Sequence, residues 1–398
     1  MITRSFQDKT LPLLGFGCMR LPLLPDGKTK DIDEKAVEEM VKVAMEAGVN
    51  YFDTAYPYHG GESENVMGRV LSKYPRESYY LADKYPGHQI VDEYRPAEIF
   101  EDQLKKCGVE YFDFYLLHNV FENSIHTYND PRWGIMDYFL EQKKKGRIRH
   151  LGFSTHGGLP IMEEFLDKWG EHMEFCQIQL NYLDWTLQNA AAKVQLLRER
   201  NIPIWVMEPI RGGRIANLSP ENMALLSPFR KDVTPVEWSF RFLQDIEGVD
   251  LILSGMSNME QLKQNIDVFK EEKPLSEEEK KTLFQVAENL KNSVPCTGCG
   301  YCLKDCPKGL DIPNLLSVYN DLQVAKSFNT SMRLEFLPEE KKPSACIGCG
   351  LCTKNCPQKI DIPKTLKKLD GILAEIPSWR AISKERAILA ENARNEKK

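Results

Sequence analysis

The chain has 398 residues, 42% of them hydrophobic and 28% charged, with a net charge of −6. This is the composition of a globular protein with room for two domains, and it offers no basic surface for nucleic acid. No stretch approaches the roughly eighteen uninterrupted apolar residues of a membrane span. Residues 1–9 lack the apolar core of a secretory signal. Eight of the eleven cysteines fall into one repeated pattern, which calls for a reducing environment. The expected location is therefore cytoplasmic.

From residue 13 to about residue 266, short apolar runs alternate with longer amphipathic ones. Residues 14–18, 51–54, 80–84, 112–117, 150–154, 175–180, 204–207 and 251–254 read as buried strands. Segments such as 33–47, 62–72, 96–107, 187–199 and 235–245 read as helices between them. Eight such units in about 250 residues predict an α/β fold, a (β/α)8 TIM barrel over residues 1–275. A doubly wound open sheet is the rival. Against it, the first strand turn, Leu14-Gly-Phe-Gly-Cys-Met19, lacks the GxGxxG phosphate fingerprint of that fold.

Barrel chemistry is carried by the C-terminal ends of strands. The second strand ends in Asp53, with Tyr58 five residues on; the third ends in Lys84 and the fourth in His118. Four titratable groups at neighbouring strand ends suit carbonyl reduction. A phenol can give a proton to a developing alkoxide if a nearby cation lowers its pKa. Lys84 would supply that charge, Asp53 would hold Lys84 ionised, and His118 would hydrogen-bond the carbonyl oxygen. Each residue alone has a structural reading, as a loop cap, a rim aromatic, a snorkelling lysine and a strand-end histidine. Together, in this order, they form a catalytic candidate. The loop at 119–133, with Phe121, Tyr128 and Trp133, is the candidate wall for an apolar or aromatic carbonyl substrate.

Residues 276–294 read as a connecting helix, with Ser276 as cap and Glu279 three residues on, the spacing of a capping box. Beyond it one cysteine pattern occurs twice: Cys296-x-x-Cys299-x-x-Cys302-x-x-x-Cys306-Pro307 and Cys346-x-x-Cys349-x-x-Cys352-x-x-x-Cys356-Pro357. This is the thiolate spacing of cubane iron–sulfur clusters, in which the fourth cysteine ligates the other cluster. On that rule Cys296, Cys299, Cys302 and Cys356 hold one 4Fe-4S cluster, and Cys346, Cys349, Cys352 and Cys306 hold the second. A zinc ribbon also uses CxxC pairs but has no use for the CxxxCP extension. The long spacer between the copies resembles the helical ferredoxin domains of larger redox enzymes, which places a mainly helical ferredoxin-like domain at 295–380. Residues 381–398 read as a charged tail, solvated or frayed. The isolated Cys18, Cys107 and Cys176 read as packing residues.

The stretches Gly48-Val-Asn-Tyr-Phe-Asp-Thr-Ala-Tyr-Pro-Tyr58, Gly61-Glu-Ser-Glu-Asn-Val-Met-Gly68, Ala82-Asp-Lys84 and Tyr115-Leu-Leu-His118 resemble the signatures of the aldo/keto reductases in order and register. With its tail, the chain resembles the aldo/keto reductases fused to a C-terminal ferredoxin domain. The resemblance implies an NAD(P)-dependent oxidoreductase in which Asp53, Tyr58, Lys84 and His118 match the catalytic tetrad. It also implies that Ser154 and Gln177 bind the nicotinamide carboxamide, although Thr155 stands where the family has asparagine. Met207 takes the place of the aromatic residue that stacks on the nicotinamide. Arg211, with Gly212 and Gly213, falls at the pyrophosphate, and Gly255, Gln261 and Asn265 at the adenosine end. Gly255 and Gln261 replace the lysine and arginine that bind a 2′-phosphate, so NADH is open as well as NADPH.

A nicotinamide moves two electrons together and a cubane cluster one, so a flavin intermediary stays open although no flavin signature is evident. The clusters would serve a redox-protein partner, sense redox state, or feed a bound substrate. A nucleotide-binding sensor with little carbonyl turnover is the alternative reading. The intact tetrad argues against it.

Overall fold

The computed structural model describes residues 1–395 apart from residues 29, 291–293, 295, 297–299, 325 and 357. It opens with a hairpin, β1 (Thr3–Phe6) and β2 (Lys9–Pro12), that the sequence reading missed. Eight parallel strands then close into a barrel: β3 (Leu14–Gly17), β4 (Tyr51–Asp53), β5 (Tyr80–Tyr85), β6 (Phe112–Leu117), β7 (Ile148–Thr155), β8 (Cys176–Gln179), β9 (Ile204–Met207) and β10 (Val249–Ser254), with β10 pairing back onto β3. Each expected strand is present, and the open sheet is excluded by that closure.

Small residues and rings fill the barrel. Tyr51, Phe114, Phe175 and Trp205 point inward and meet Phe6 and Leu11 of the hairpin. Phe6 lies edge-on to Trp205 at 5.0 Å, and the Trp205 indole donates to the Tyr51 hydroxyl at 3.0 Å, which satisfies the one polar atom of each buried ring. The hairpin thus plugs the end of the barrel away from Asp53, Lys84 and His118 and leaves the other end open for chemistry. Cys18, Cys107 and Cys176 are buried thiols. Among the described residues no helix is long and apolar enough to cross a membrane.

The helix Glu277–Leu290 starts on the expected capping box: Glu279 N donates to Ser276 Oγ at 3.2 Å and Ser276 N to Glu279 Oε2 at 2.7 Å. The remainder is helical, with Ile312–Val324, Phe328–Glu335, Leu351–Lys354, Ile362–Ala374 and Trp379–Asn395. These helices have their own apolar core around Leu315, Leu316, Leu366 and Leu369.

This second unit docks on the catalytic end of the barrel through a buried charge cluster. Arg211, from the turn after β9, donates to Asp321 Oδ1 of helix Ile312–Val324 at 2.7 Å. Its Nε lies 3.2 Å from Asp184 Oδ1, close in charge but not aligned as a hydrogen bond. Arg333 reaches the other Asp321 oxygen at 3.2 Å. Burial pushes the Asp321 carboxyl up to about 6 even though both arginines oppose it. An apolar patch lies beside this cluster: Phe121 of the barrel packs with Met332 and Trp379 of the cluster domain.

Removing one member of a buried ion cluster strands the rest. Asp321→Ala is expected to lower the unfolding free energy by about 3 kcal/mol, measured by urea denaturation of the cluster-loaded protein under anaerobic conditions. A change below about 1 kcal/mol would contradict the role given to this joint.

Candidate active site

Parallel pairing lines up the functional strand ends. Gly17 of β3 is in register with Asp53 of β4, and Lys84 of β5 with Leu116 of β6, two residues before His118. The Lys84 ammonium is fully buried and triply engaged, at 2.5 Å from Asp53 Oδ1, 2.7 Å from the Thr54 carbonyl and 3.4 Å from the Tyr58 hydroxyl. Behind it, Gln103 Nε2 donates to the Lys84 carbonyl at 3.1 Å and to Glu64 Oε1 at 3.1 Å, and Lys106 binds the other Glu64 oxygen at 3.0 Å. The strand end is therefore anchored from the side facing away from the cavity.

The electrostatics follow from burial. Burial alone pulls the Lys84 ammonium down, but Asp53 and Tyr58 outweigh it and hold the group above the ordinary lysine value. Burial raises Asp53, and Lys84 opposes that across the 2.5 Å contact that joins them. Tyr58 departs from expectation. Lys84 does lower it, but burial, aided by Asp53, wins, and the phenol sits above its ordinary value. Burial, aided by the nearby His88 and Lys84, drives His118 well below the ordinary imidazole value, so it is neutral.

These groups face a cavity of about 1010 Å3, at the upper end of the range for small-molecule sites. Asp53, Tyr58, His118, Ser154, Gln177, Met207, Gly255, Gln261 and Asn265 all line it. Ser154 Oγ accepts from Asn119 N at 2.8 Å, and Asn265 Nδ2 donates to Ser254 Oγ at 3.0 Å. Gln261 Oε1 takes up the Ser257 amide at 2.8 Å. Gln177 Oε1 is buried without a hydrogen-bond partner. An amide group on a ligand would satisfy it, which fits a nicotinamide at this wall.

Arg211 does not join them. Its guanidinium is committed to Asp184 and Asp321, and its neighbours Ile210, Gly212 and Gly213 reach the cavity in its stead. The cation at that place is Arg20, which lies against Gly212 and Gly255. Gly212 and Gly213 adopt φ of 64° and 93°, left-handed values that suit glycine and leave their backbone open to a ligand.

The substrate wall also differs from expectation. Phe121 packs on the cluster domain, Tyr128 donates to the His118 carbonyl at 2.8 Å, and Trp133 stands edge-on to Tyr94. None of the three lines the cavity. Its roof comes instead from the cluster domain, through Phe328 and residues of helix Trp379–Asn395. Trp379 stacks on His88 at 5.3 Å and on Phe328 at 5.8 Å, and its indole donates to the His88 carbonyl at 3.2 Å. Ser383 Oγ accepts the Ile90 amide at 2.9 Å. The segment expected to be solvated is thus a lid element. His88, whose ring is 4.3 Å from His118, is held near 3 by burial and Arg386.

The described cluster cysteines gather in two places. Cys306, Cys346, Cys349 and Cys352 line one small cavity, and Cys296, Cys302 and Cys356 line another; Cys299 lies outside the described residues. Among the described residues no three Cys, His, Asp or Glu side chains stand close enough together to hold a single metal ion. Thiolates around a cube would reach separate irons.

The profile of the Aldo/keto reductase family matches residues 13–288, and that of the 4Fe-4S dicluster domain matches residues 295–360. The chain is 26% identical over 223 residues to an NADH-specific methylglyoxal reductase of Escherichia coli, covering 52% of this chain and 66% of that one, just under two thirds. It is 27% identical over 256 residues to a probable aldo-keto reductase 1 of Glycine max, covering 59% and 68%. Among solved structures, the holo form of an aldo-keto reductase from Bacillus halodurans superimposes with a TM-score of 0.58 at 23% identity, covering 72% of this chain and 96% of that one. An aldo-keto reductase from Klebsiella pneumoniae in complex with NADPH gives 0.57 at 18% identity, with the same coverage. The chain belongs to the aldo/keto reductase family and carries a C-terminal 4Fe-4S dicluster domain.

The crossed ligation has a count to check it. Serine at both Cys306 and Cys349 is expected to cost one cluster, about four irons, whereas serine at Cys356 and Cys349 is expected to cost both, about eight. Iron analysis of anaerobically purified protein decides this, and the reverse pattern, both clusters lost from the first pair and one from the second, would contradict the crossing.

Proposed function

We propose that this aldo/keto reductase family member reduces a carbonyl compound with NAD(P)H, with Tyr58 as the proton donor. The observation that carries the reading is the buried Lys84 ammonium held by Asp53 and Tyr58, which line the cavity. When bound, the nicotinamide supplies the hydride that the carbonyl carbon accepts. The orphaned Gln177 oxygen and the Ser154 hydroxyl are the groups that would hold its carboxamide, and Met207 would pack on its ring. Arg20, with the Gly212 and Gly213 amides, would meet the phosphates.

The chain's own groups handle the proton. Tyr58 keeps its proton through the neutral range, so it stands loaded as an acid. As the alkoxide develops, Tyr58 gives up that proton, and the charge left on the phenolate falls beside Lys84, which is already held in place by Asp53 and Thr54. No reorganisation is needed at that moment. Neutral His118 can donate to the same oxygen without competing as an acid. The clusters carry single electrons and sit in a domain that roofs this site, which supports service to a redox-protein partner or redox sensing.

Tyr58→Phe keeps the ring and loses the proton. The expected result is a loss of about 100-fold or more in kcat/KM with cofactor binding little changed. An unchanged or never detectable carbonyl rate would instead favour a nucleotide-binding sensor. The pH profile supplies a second check. A phenol raised above its ordinary value of 10.0 keeps its proton through neutral pH and loses it only above pH 10. Reduction is therefore expected to be flat through neutrality and to fall only above pH 10, and a fall centred near neutrality would contradict Tyr58 as the acid.

A further inference from the structure

The cavity roof holds a cation that the reaction above leaves unused. Arg386 lies in helix Trp379–Asn395, and its guanidinium sits over the Trp379 ring at 5.3 Å and the Phe328 ring at 5.9 Å. Other arginines withdrawn from water are paired with carboxylates: Arg211 with Asp321, Arg230 with Glu279, and Arg241 with Glu237. Among the described residues Arg386 has no such partner. Burial depresses it, with Tyr58 and Glu385 opposing. A half-buried guanidinium held by aromatic faces keeps its forked donors free for an anion.

Its position narrows which anion. Arg386 lines the cavity and sits over Trp379, which stacks on His88, whose ring is 4.3 Å from that of His118, so Arg386 stands at the carbonyl end. The phosphate end has its own cation in Arg20, against Gly212 and Gly255. The cavity's carboxylates do not compete well: Asp53 is tied to Lys84, Glu208 is pushed up to about 7 by burial and has Arg211 and Arg20 as its charged neighbours, and Glu385 is exposed beside Arg386 on the same helix.

We propose that Arg386 binds a carboxylate on the substrate, so that the preferred substrate is an aldehyde or ketone that also carries an acid group, read by a residue of the iron–sulfur domain. This rests on carbonyl reduction at Tyr58. Trp379 and Phe328 would flank the body of such a molecule, and Tyr58 and His118 would take its carbonyl oxygen.

The test compares 4-carboxybenzaldehyde with its uncharged isostere 4-formylbenzamide, using the full-length, cluster-loaded protein. The wild type is expected to favour the acid by about 10-fold or more in kcat/KM, the range for a charge-assisted hydrogen bond. Arg386→Gln is expected to raise KM for the acid and abolish the preference, leaving the amide within about 2-fold, while Arg386→Lys restores part of it. Equal rates for both aldehydes in the wild type would overturn the proposal and leave carbonyl reduction standing. So would an Arg386→Gln variant that slows both alike, because the arginine would then only support the helix. If Tyr58→Phe changes neither rate, the underlying reading fails along with the proposal.

Discussion

A fully buried ammonium must remain charged, and the catalytic end of this barrel is organised around that requirement. Lys84 has no contact with solvent, so its charge is held by Asp53, the Thr54 carbonyl and the Tyr58 hydroxyl. Its backbone is pinned in turn through Gln103 to Glu64 and Lys106. Burial without partners would push the ammonium toward its neutral form, and Asp53 and Tyr58 hold it charged instead. The same geometry makes Lys84 useful, because a phenolate formed at Tyr58 would meet a cation already in place.

The second organising feature is that the iron–sulfur unit is part of the cavity. Arg211 lies between Asp184 of the barrel and Asp321 of the cluster domain, with Arg333 on the far side of Asp321. That joint sets helix Trp379–Asn395 across the barrel mouth, where Trp379 stacks on His88 and His88 meets His118. A shift of this domain would therefore change the shape of the substrate site directly.

Local patterns were legible in the sequence. Short apolar runs marked every barrel strand, because strands buried on both faces leave little choice of residue. The tetrad and the crossed cysteines followed from strand-end position and fixed spacing. Long-range choices were not legible. Arg211 stood beside two glycines at the expected pyrophosphate turn, and nothing local revealed that Asp321, 110 positions away, would claim it. The tail read as solvated because its charges dominate, yet Trp379, Ile382, Ser383, Arg386 and Leu389 recur at helical spacing on the face turned to the barrel. That stripe was the available signal. Tyr58 ran against expectation because the depth at which the phenol would be buried cannot be read from its neighbours in the chain.

The most direct test is to follow the hydrogen itself. In an anaerobic single turnover with cofactor deuterated at both C4 positions, the alcohol product is expected to carry one deuterium on its carbinol carbon while the cluster absorbance stays constant. A product free of deuterium, formed as the clusters bleach and recover, would mean that electrons arrive singly through the iron–sulfur domain, and Tyr58 and Lys84 would not be serving a direct hydride transfer.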